Sequence, residues 1–191
     1  MKVSQNWLKE LVDINTTPEL LSEKLSIGGF EVESLVDTSL KYKGIVLGKV
    51  LKAIKHNNSD KLSICEVDVG TGRLQIICGA NNVRSDIYVY VATIGTYLEK
   101  VNLTIKASEI RGVHSEGMIC SLEELGFEGK SDGIAIVEKS VSQKFELGTS
   151  LSELLELNDF IYELAITANR PDGMSMIGIA REVSALLQTK L

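Results

Sequence analysis

The 191-residue sequence predicts an α+β protein: a five-stranded β-barrel inserted into a small discontinuous α/β domain built from both chain ends. Three observations carry that expectation. Residues 40–150 hold short runs rich in β-branched side chains between Gly and Asn turns, whereas helical spacing of apolar residues is confined to the two ends. Charge divides the same way, with fourteen Lys or Arg against thirteen Asp or Glu in the middle, three against seven in 1–39 and three against six in 151–191. Finally, two short helices and one strand at the start cannot close a core alone, so they need a partner from elsewhere in the chain. The expected division is 1–39 plus 151–191 as one domain and 40–150 as the insertion.

Taken in order, Ser4 suits the cap of a first helix carrying Trp7, Leu8, Leu11 and Val12 on one face. Thr16 or Thr17 caps a second, with Pro18 at a tolerated early position, Leu21 and Leu25 on the buried side, and Gly28-Gly29 as the stop. Phe30 to Val36 then reads as a strand. Four further strands come next at Ile45–Ile54, Leu62–Val69, Leu74–Cys78 and Ile87–Ile94, with Leu103–Ile110 as the candidate fifth. Gly70-Thr71-Gly72 is a tight hairpin signal. Five short strands in this length argue for a small closed barrel of the oligonucleotide-binding (OB) type, with a sandwich as the alternative. Ser150 and Glu153 form a capping box for a short helix. Phe160 to Thr167 reads as a strand able to pair with Phe30 to Val36, which would join the two ends in one sheet. A turn at 169–173 precedes a last helix, about Ser175 to Gln188, with Met176, Ile179, Ala180, Val183 and Leu187 on one side.

Composition narrows the function. Hydrophobic content of 44% with 24% charged residues is that of a soluble globular chain, and no apolar run approaches a membrane span, so a cytoplasmic protein with no membrane partner is expected. Cys65, Cys78 and Cys120 lack metal or redox spacing and read as reduced core thiols. Neither His56 nor His114 sits in a nucleophile-elbow or metal-ligand pattern, and the GxxxxGK[ST] and GxGxxG signatures are absent, so no catalytic or metal residue is assigned. Lys41, Lys43, Lys49, Lys52, Lys55 and Lys61 share a window whose one acid is Asp60; it reads either as a solvated strand face or as an electrostatic footprint for nucleic acid. The middle segment is poor in aromatic stacking platforms, which favours recognition of a folded RNA through phosphates and 2′-hydroxyls.

The stretch Arg111 to Gly126 concentrates the remaining chemistry. Gly112 and Gly117 bracket Val113 to Glu116, a backbone able to bend and present N–H groups, the Arg111 guanidinium and the Ser115 hydroxyl to one side. Ser121 and Glu124 form a capping box for one helical turn, and Gly126 suits a left-handed stop.

Three segments, His56-Asn-Asn-Ser-Asp-Lys-Leu62, Cys78-Gly-Ala-Asn-Asn-Val83 and Arg111 to Gly126, resemble the motifs of the EMAP-type tRNA-binding OB domain. The flanks Asn6-Trp-Leu-Lys-Glu-Leu-Val12, Gly29-Phe-Glu-Val-Glu33, Asn169-Arg-Pro-Asp172 and Gly178-Ile-Ala-Arg-Glu182 resemble the N-terminal part of the bacterial phenylalanyl-tRNA synthetase β subunit, into which that domain is inserted. Asn57 stands where the first motif usually has proline. The resemblance implies tRNA contact by Lys61, Asn81, Asn82, Arg111, Ser115 and Ser121, with Met118 and Cys120 as packing residues. It also implies an α-subunit partner in an (αβ)2 heterotetramer that uses ATP and Mg2+ to attach phenylalanine to its tRNA. This chain would be a non-catalytic accessory piece of that enzyme, without a cofactor of its own. A structural module that braces the subunit, or a free-standing EMAP-type tRNA-binding protein, are the alternative readings.

Overall fold

The computed structural model describes residues 1–128 and 132–191, which form two units: Met1–Lys41 with Leu157–Leu191, and Tyr42–Glu156. The chain enters the first unit through β1 (Lys2–Ser4) and turns at once into α1 (Gln5–Lys9), where the Ser4 hydroxyl accepts from the Trp7 N–H. This helix is shorter than the spacing predicts. Of the expected apolar face, Leu8 and Val12 are buried in the core and Leu11 packs against it, whereas Trp7 is 54% exposed and stays outside. α2 (Pro18–Ile27) has the expected Thr17 cap, Pro18 at its start and Leu21 and Leu25 inside. β2 (Glu31–Asp37) comes next.

The second unit begins with β3 (Ile45–His56), β4 (Ser59–Asp68), β5 (Arg73–Cys78) and β6 (Ile87–Thr93), four long strands at the places that the sequence predicts. Beyond them the predicted fifth strand fails. Leu103–Ile110 is broken: β7 (Tyr97–Leu98) pairs with β8 (Leu103–Thr104), and β9 (Ser108–Ile110) pairs with β10 (Val113–Ser115) in a separate hairpin. The strand that completes the barrel is β11 (Gly117–Ile119), antiparallel to β6, with β12 (Ile136–Val137) further along β6. The sheet order is β11-β6-β3-β4-β5, and the Glu116 N–H donates to the Gln75 carbonyl at 2.8 Å to bring its two edges together. Glycine opens the closing strand for a packing reason. A Cβ at Gly117 would lie 3.0 Å from the Ala92 carbonyl and 3.3 Å from Ile76 Cδ1. This is an α+β OB-type barrel.

Inside it Val50, Cys65, Val67, Ile76, Val89 and Val91 are fully buried. α3 (Lys139–Ser142) and α4 (Leu151–Leu154) finish the unit. The predicted boundary groups α4 with the chain ends, whereas the packing groups it with the barrel. Leu47 accounts for that, because its N–H and carbonyl pair with Thr149 and Gly148, and Val46 bridges to Ser150.

The chain returns to the first unit as β13 (Phe160–Ala165), the central strand of a sheet ordered β1-β13-β2. Its pairing with β2, Tyr162 opposite Leu35, joins the two ends as the sequence predicts. α5 (Met176–Leu187), capped by Ser175, lays Met176, Ile179, Ala180 and Val183 on Leu8, Leu21, Leu25 and Phe30. Each of the large side chains in that cluster is worth about 1.5–3 kcal/mol on burial. Arg170 locks the corner. Its guanidinium lies 4.0 Å over the Phe30 ring, donates to the Gly28 carbonyl at 2.8 Å, and pairs with Asp172 at 2.9 Å and Glu182 at 2.7 Å. Its pairing with Arg170 holds the Asp172 carboxyl below the usual carboxylate range. A Cβ at Gly178 would lie 1.7 Å from the Asp172 carbonyl, so the first turn of α5 seats on that corner only with glycine there.

Candidate nucleic-acid interface

The interface is built where two hairpins meet at one end of the barrel. β3 and β4 turn at Asn57-Asn58, and His56 braces the turn by accepting the Asn58 N–H on Nδ1 at 3.0 Å. That bond assigns the ring proton to Nε2, which is buried with no partner among the described residues. The second hairpin, β9–β10, turns on Arg111 and Gly112, both with positive φ, +52° and +83°. With Ile110 opposite Val113 this is a two-residue turn of the mirror-image type, a position that favours Asn, Asp or Gly over a long side chain. From its tip the Arg111 guanidinium donates to the Asn58 carbonyl at 3.1 Å. One cation is thus held between two turns, in the open.

Lys61 and Asn81 come out at the same end. β4 pairs with β5 so that Ser63 faces Cys78, which places Lys61 just before the paired stretch and Asn81 just after it. Both are exposed, as are Lys52 and Lys55 further along β3. None of Lys52, Lys55, Lys61 and Arg111 forms an ion pair among the described residues. Lys49, by contrast, is paired with Asp86 at 3.1 Å and Arg73 with Glu66 at 2.9 Å. The lysine run is therefore only partly available.

The other three residues named from sequence have backbone partners. Asn82 clamps the chain at Ile134, donating to its carbonyl at 2.9 Å and accepting its N–H at 3.0 Å. Ser115 is buried in the barrel's closing seam, where its Oγ accepts the Ile77 N–H at 3.1 Å and donates to the Gly117 carbonyl. Arg111 and Ser115 stand at opposite ends of β10 instead of facing one side together, because Val113 to Ser115 is extended rather than bent. Ser121 has the expected box geometry: its N–H donates to Glu124 Oε2 at 2.7 Å, and its Oγ accepts the Glu124 N–H at 3.2 Å.

Beside this end runs a groove of about 750 Å³ that sequence reasoning missed, between the end of β5, the segment 103–110 and the strand β11. Ile77, Ile105, Ile110, Met118 and Ile134 supply its apolar wall, and Lys106 and Glu124 are the charged residues among those described that line it. Glu124 was legible as a cap but not as a groove residue, since that depends on where 103–110 runs. Its charge reaches the sulfurs nearby. Burial first, then Glu124, pushes the Cys120 thiol up to about 12, and burial chiefly raises Cys78 as well. Cys65, also buried, is pushed up to about 12. All three are protonated packing groups rather than nucleophiles at neutral pH. Among the described residues no group of three or more His, Cys, Asp or Glu is placed to hold a metal ion, and no helix is long and apolar enough to cross a membrane.

A barrel of this type, with Lys61 and Arg111 exposed at one end, has the architecture of oligonucleotide-binding modules. Residues 45–145 match the family described as "Putative tRNA binding domain", and the chain belongs to that family. Over its whole length it is 72% identical to the phenylalanine–tRNA ligase β subunit of Prochlorococcus marinus subsp. pastoris and 54% identical to that of a Synechococcus species. The chain spans 23% and 24% of those two relatives. The resemblance carried by the flanks agrees with both. A solved MetRS related protein from Pyrococcus horikoshii overlays 56% of this chain and 87% of its own at 20% identity, with a TM-score of 0.41.

Proposed function

We propose that this chain is the accessory tRNA-binding portion of a cytoplasmic phenylalanine–tRNA ligase β subunit. The carrying observation is the convergence of Lys61, Asn81 and Arg111, all exposed, on one end of a barrel whose family is described by tRNA binding. Cations spaced over two turns suit the phosphates of a folded RNA. A single strand, by contrast, would want several aromatic platforms, and here Tyr42 is stacked on Phe127 at 5.8 Å and Tyr90 is buried, with Tyr97 the largely exposed ring of the barrel. In this reading the chain acts within an (αβ)2 assembly, and the chemistry that needs ATP and Mg2+ belongs to parts of that assembly beyond these residues. The chain's own part is to add a weak, salt-sensitive hold on the tRNA.

The test is a titration of the chain with folded tRNA at about 50 and about 200 mM salt, with a single-stranded RNA of equal length as competitor. Preference for the folded tRNA that weakens with salt is the expected result. Equal binding of both RNAs reduces the surface to a generic cationic patch. No binding at either salt favours a module that only braces the subunit.

A further inference from the structure

The hairpin tips and the groove offer different chemistry. Arg111 and Lys61 present positive charge with no acid paired to them among the described residues, which suits phosphate. The groove sets Lys106 against Glu124, so it offers a phosphate no net attraction. Its volume of about 750 Å³ lies in the range of pockets that enclose a small organic group. Its apolar walls are Ile77, Ile105, Ile110, Met118 and Ile134, side chains able to pack on the faces of a ring system.

At one side stands Glu124, an acceptor-only group whose Oε2 already takes the Ser121 N–H, leaving lone pairs for further donors. A carboxylate beside an apolar wall selects for an edge made of N–H groups. Of the four RNA bases, guanine alone has adjacent N1–H and N2–H donors; uracil flanks its single N–H with two carbonyl oxygens, which a carboxylate repels. Adenine and cytosine pair one donor with an acceptor.

We propose that the groove takes one unstacked base of the bound RNA, guanine in preference, with its N1–H and N2–H edge on Glu124 and its faces between Ile110, Met118 and Ile134. This rests on the tRNA reading above and deepens it: the tips would hold the backbone while the groove reads one base. Sequence-specific recognition of RNA generally works on bases freed from a helix in this way.

The test uses the intact chain, with guanosine and uridine 5′-monophosphates as probes and the isoleucine and methionine methyl signals as readout. Guanosine monophosphate should shift the groove methyls of Ile77, Ile105, Ile110 and Met118, and bind about fivefold or more tighter than uridine monophosphate, the low end of what a paired hydrogen-bonding edge provides. Glu124→Gln is the decisive variant, because glutamine still closes a capping box and keeps the fold while exchanging one acceptor for a donor. It should abolish the guanine preference and weaken tRNA binding without changing its salt dependence. Equal binding of the two nucleotides, or a guanine preference that survives Glu124→Gln, would overturn the proposal. The two readings fail separately. Salt-sensitive tRNA binding with no nucleotide in the groove removes this inference alone, whereas guanine-selective groove shifts without any tRNA binding remove the tRNA reading and leave a nucleotide site.

Discussion

Replacing Arg111 with asparagine separates what that residue does for the fold from the RNA contact proposed for it. A side chain other than glycine in the left-handed region costs roughly 1–2 kcal/mol, and asparagine tolerates it best because its short amide bonds locally. Arg111→Asn therefore relieves the turn while losing one exposed bond to the Asn58 carbonyl, worth about 0.5–1.5 kcal/mol. The two nearly cancel, so stability should change by less than about 1 kcal/mol, a few degrees in Tm for a unit of this size. RNA binding has no such compensation. One phosphate contact contributes about 0.7–0.9 to the slope of log affinity against log salt, so its loss should shrink the change between about 50 and about 200 mM by a factor of about 3. Fluorescence anisotropy with labelled tRNA at the two salts, beside a thermal melt, reads both quantities. An unchanged salt slope in a variant that melts like the parent would sink the assignment of this tip to phosphate. A fall in Tm beyond roughly 8 °C would instead show that the Arg111–Asn58 bond holds the two hairpins together.

The remaining predictions concern the fold and its thiols. Gly178→Ala should lower the melting temperature of the first unit while leaving tRNA affinity unchanged, because its Cβ would fall 1.7 Å from the Asp172 carbonyl; a melt identical to the parent's would mean the corner yields freely. Cys65 and Cys120 keep their protons in the folded barrel up to about 12, against 9.0 for the free group, so the folded state binds more protons above pH 9. Their contribution is complete below 9 and is lost as pH rises towards 12, at up to about 1.4 kcal/mol per pH unit for each thiol. Urea midpoints at about pH 8 and about pH 10 should show that loss, reduced in Cys120→Ala; a flat profile contradicts it. Lastly, linking Lys41 to Leu157 by a short glycine-serine segment should give a cooperatively folding first unit. The Thr38 hydroxyl already donates to the Leu157 carbonyl, so the excised ends meet. A product without a sharp transition, by circular dichroism, would refute the independence of that core.

The elements that sequence located are those whose signal is local. Thr17-Pro18, Ser121 with Glu124, and Ser150 act within one turn of chain, and each caps the helical turn next to it. The β2–β13 pairing was also legible, because neither end could bury its apolar face without the other. The elements that escaped depend on distant partners. Trp7 has helical spacing from its neighbours, yet the residue of α1 buried beside Leu8 is Gln5, which accepts the Tyr162 hydroxyl at 2.8 Å. Leu103–Ile110 has the composition of a strand, but only Ile105 of its apolar residues enters the core, and its neighbours go to two short hairpins. Gly117 to Ile119 has the look of a loop because it begins on a glycine, and that glycine is what lets the closing strand approach both edges of the barrel.

The same contrast orders the residues proposed to meet RNA. Asn82 and Ser115 lie in the most recognisable motifs, yet their polar atoms are joined to backbone at Ile134, Ile77 and Gly117. These residues fix where the segments flanking the groove run. Arg111, Lys61 and Asn81 are among the groups left open to solvent at the end those segments frame, beside Asn57, Asn58 and Asp60. In the proposed reading, a chain with net charge −6 can hold a polyanion because fourteen of its twenty Lys and Arg lie in 40–150, and several of these cations form no ion pair among the described residues. On that proposal, few phosphate contacts would mean modest affinity, which suits a module that adds to a larger tRNA contact elsewhere in the assembly. Effective concentration then multiplies a weak hold into a useful one. It follows that weakening Arg111 should cost more in the isolated chain, where it is a large share of the contact, than in any assembly that grips the same tRNA at other points.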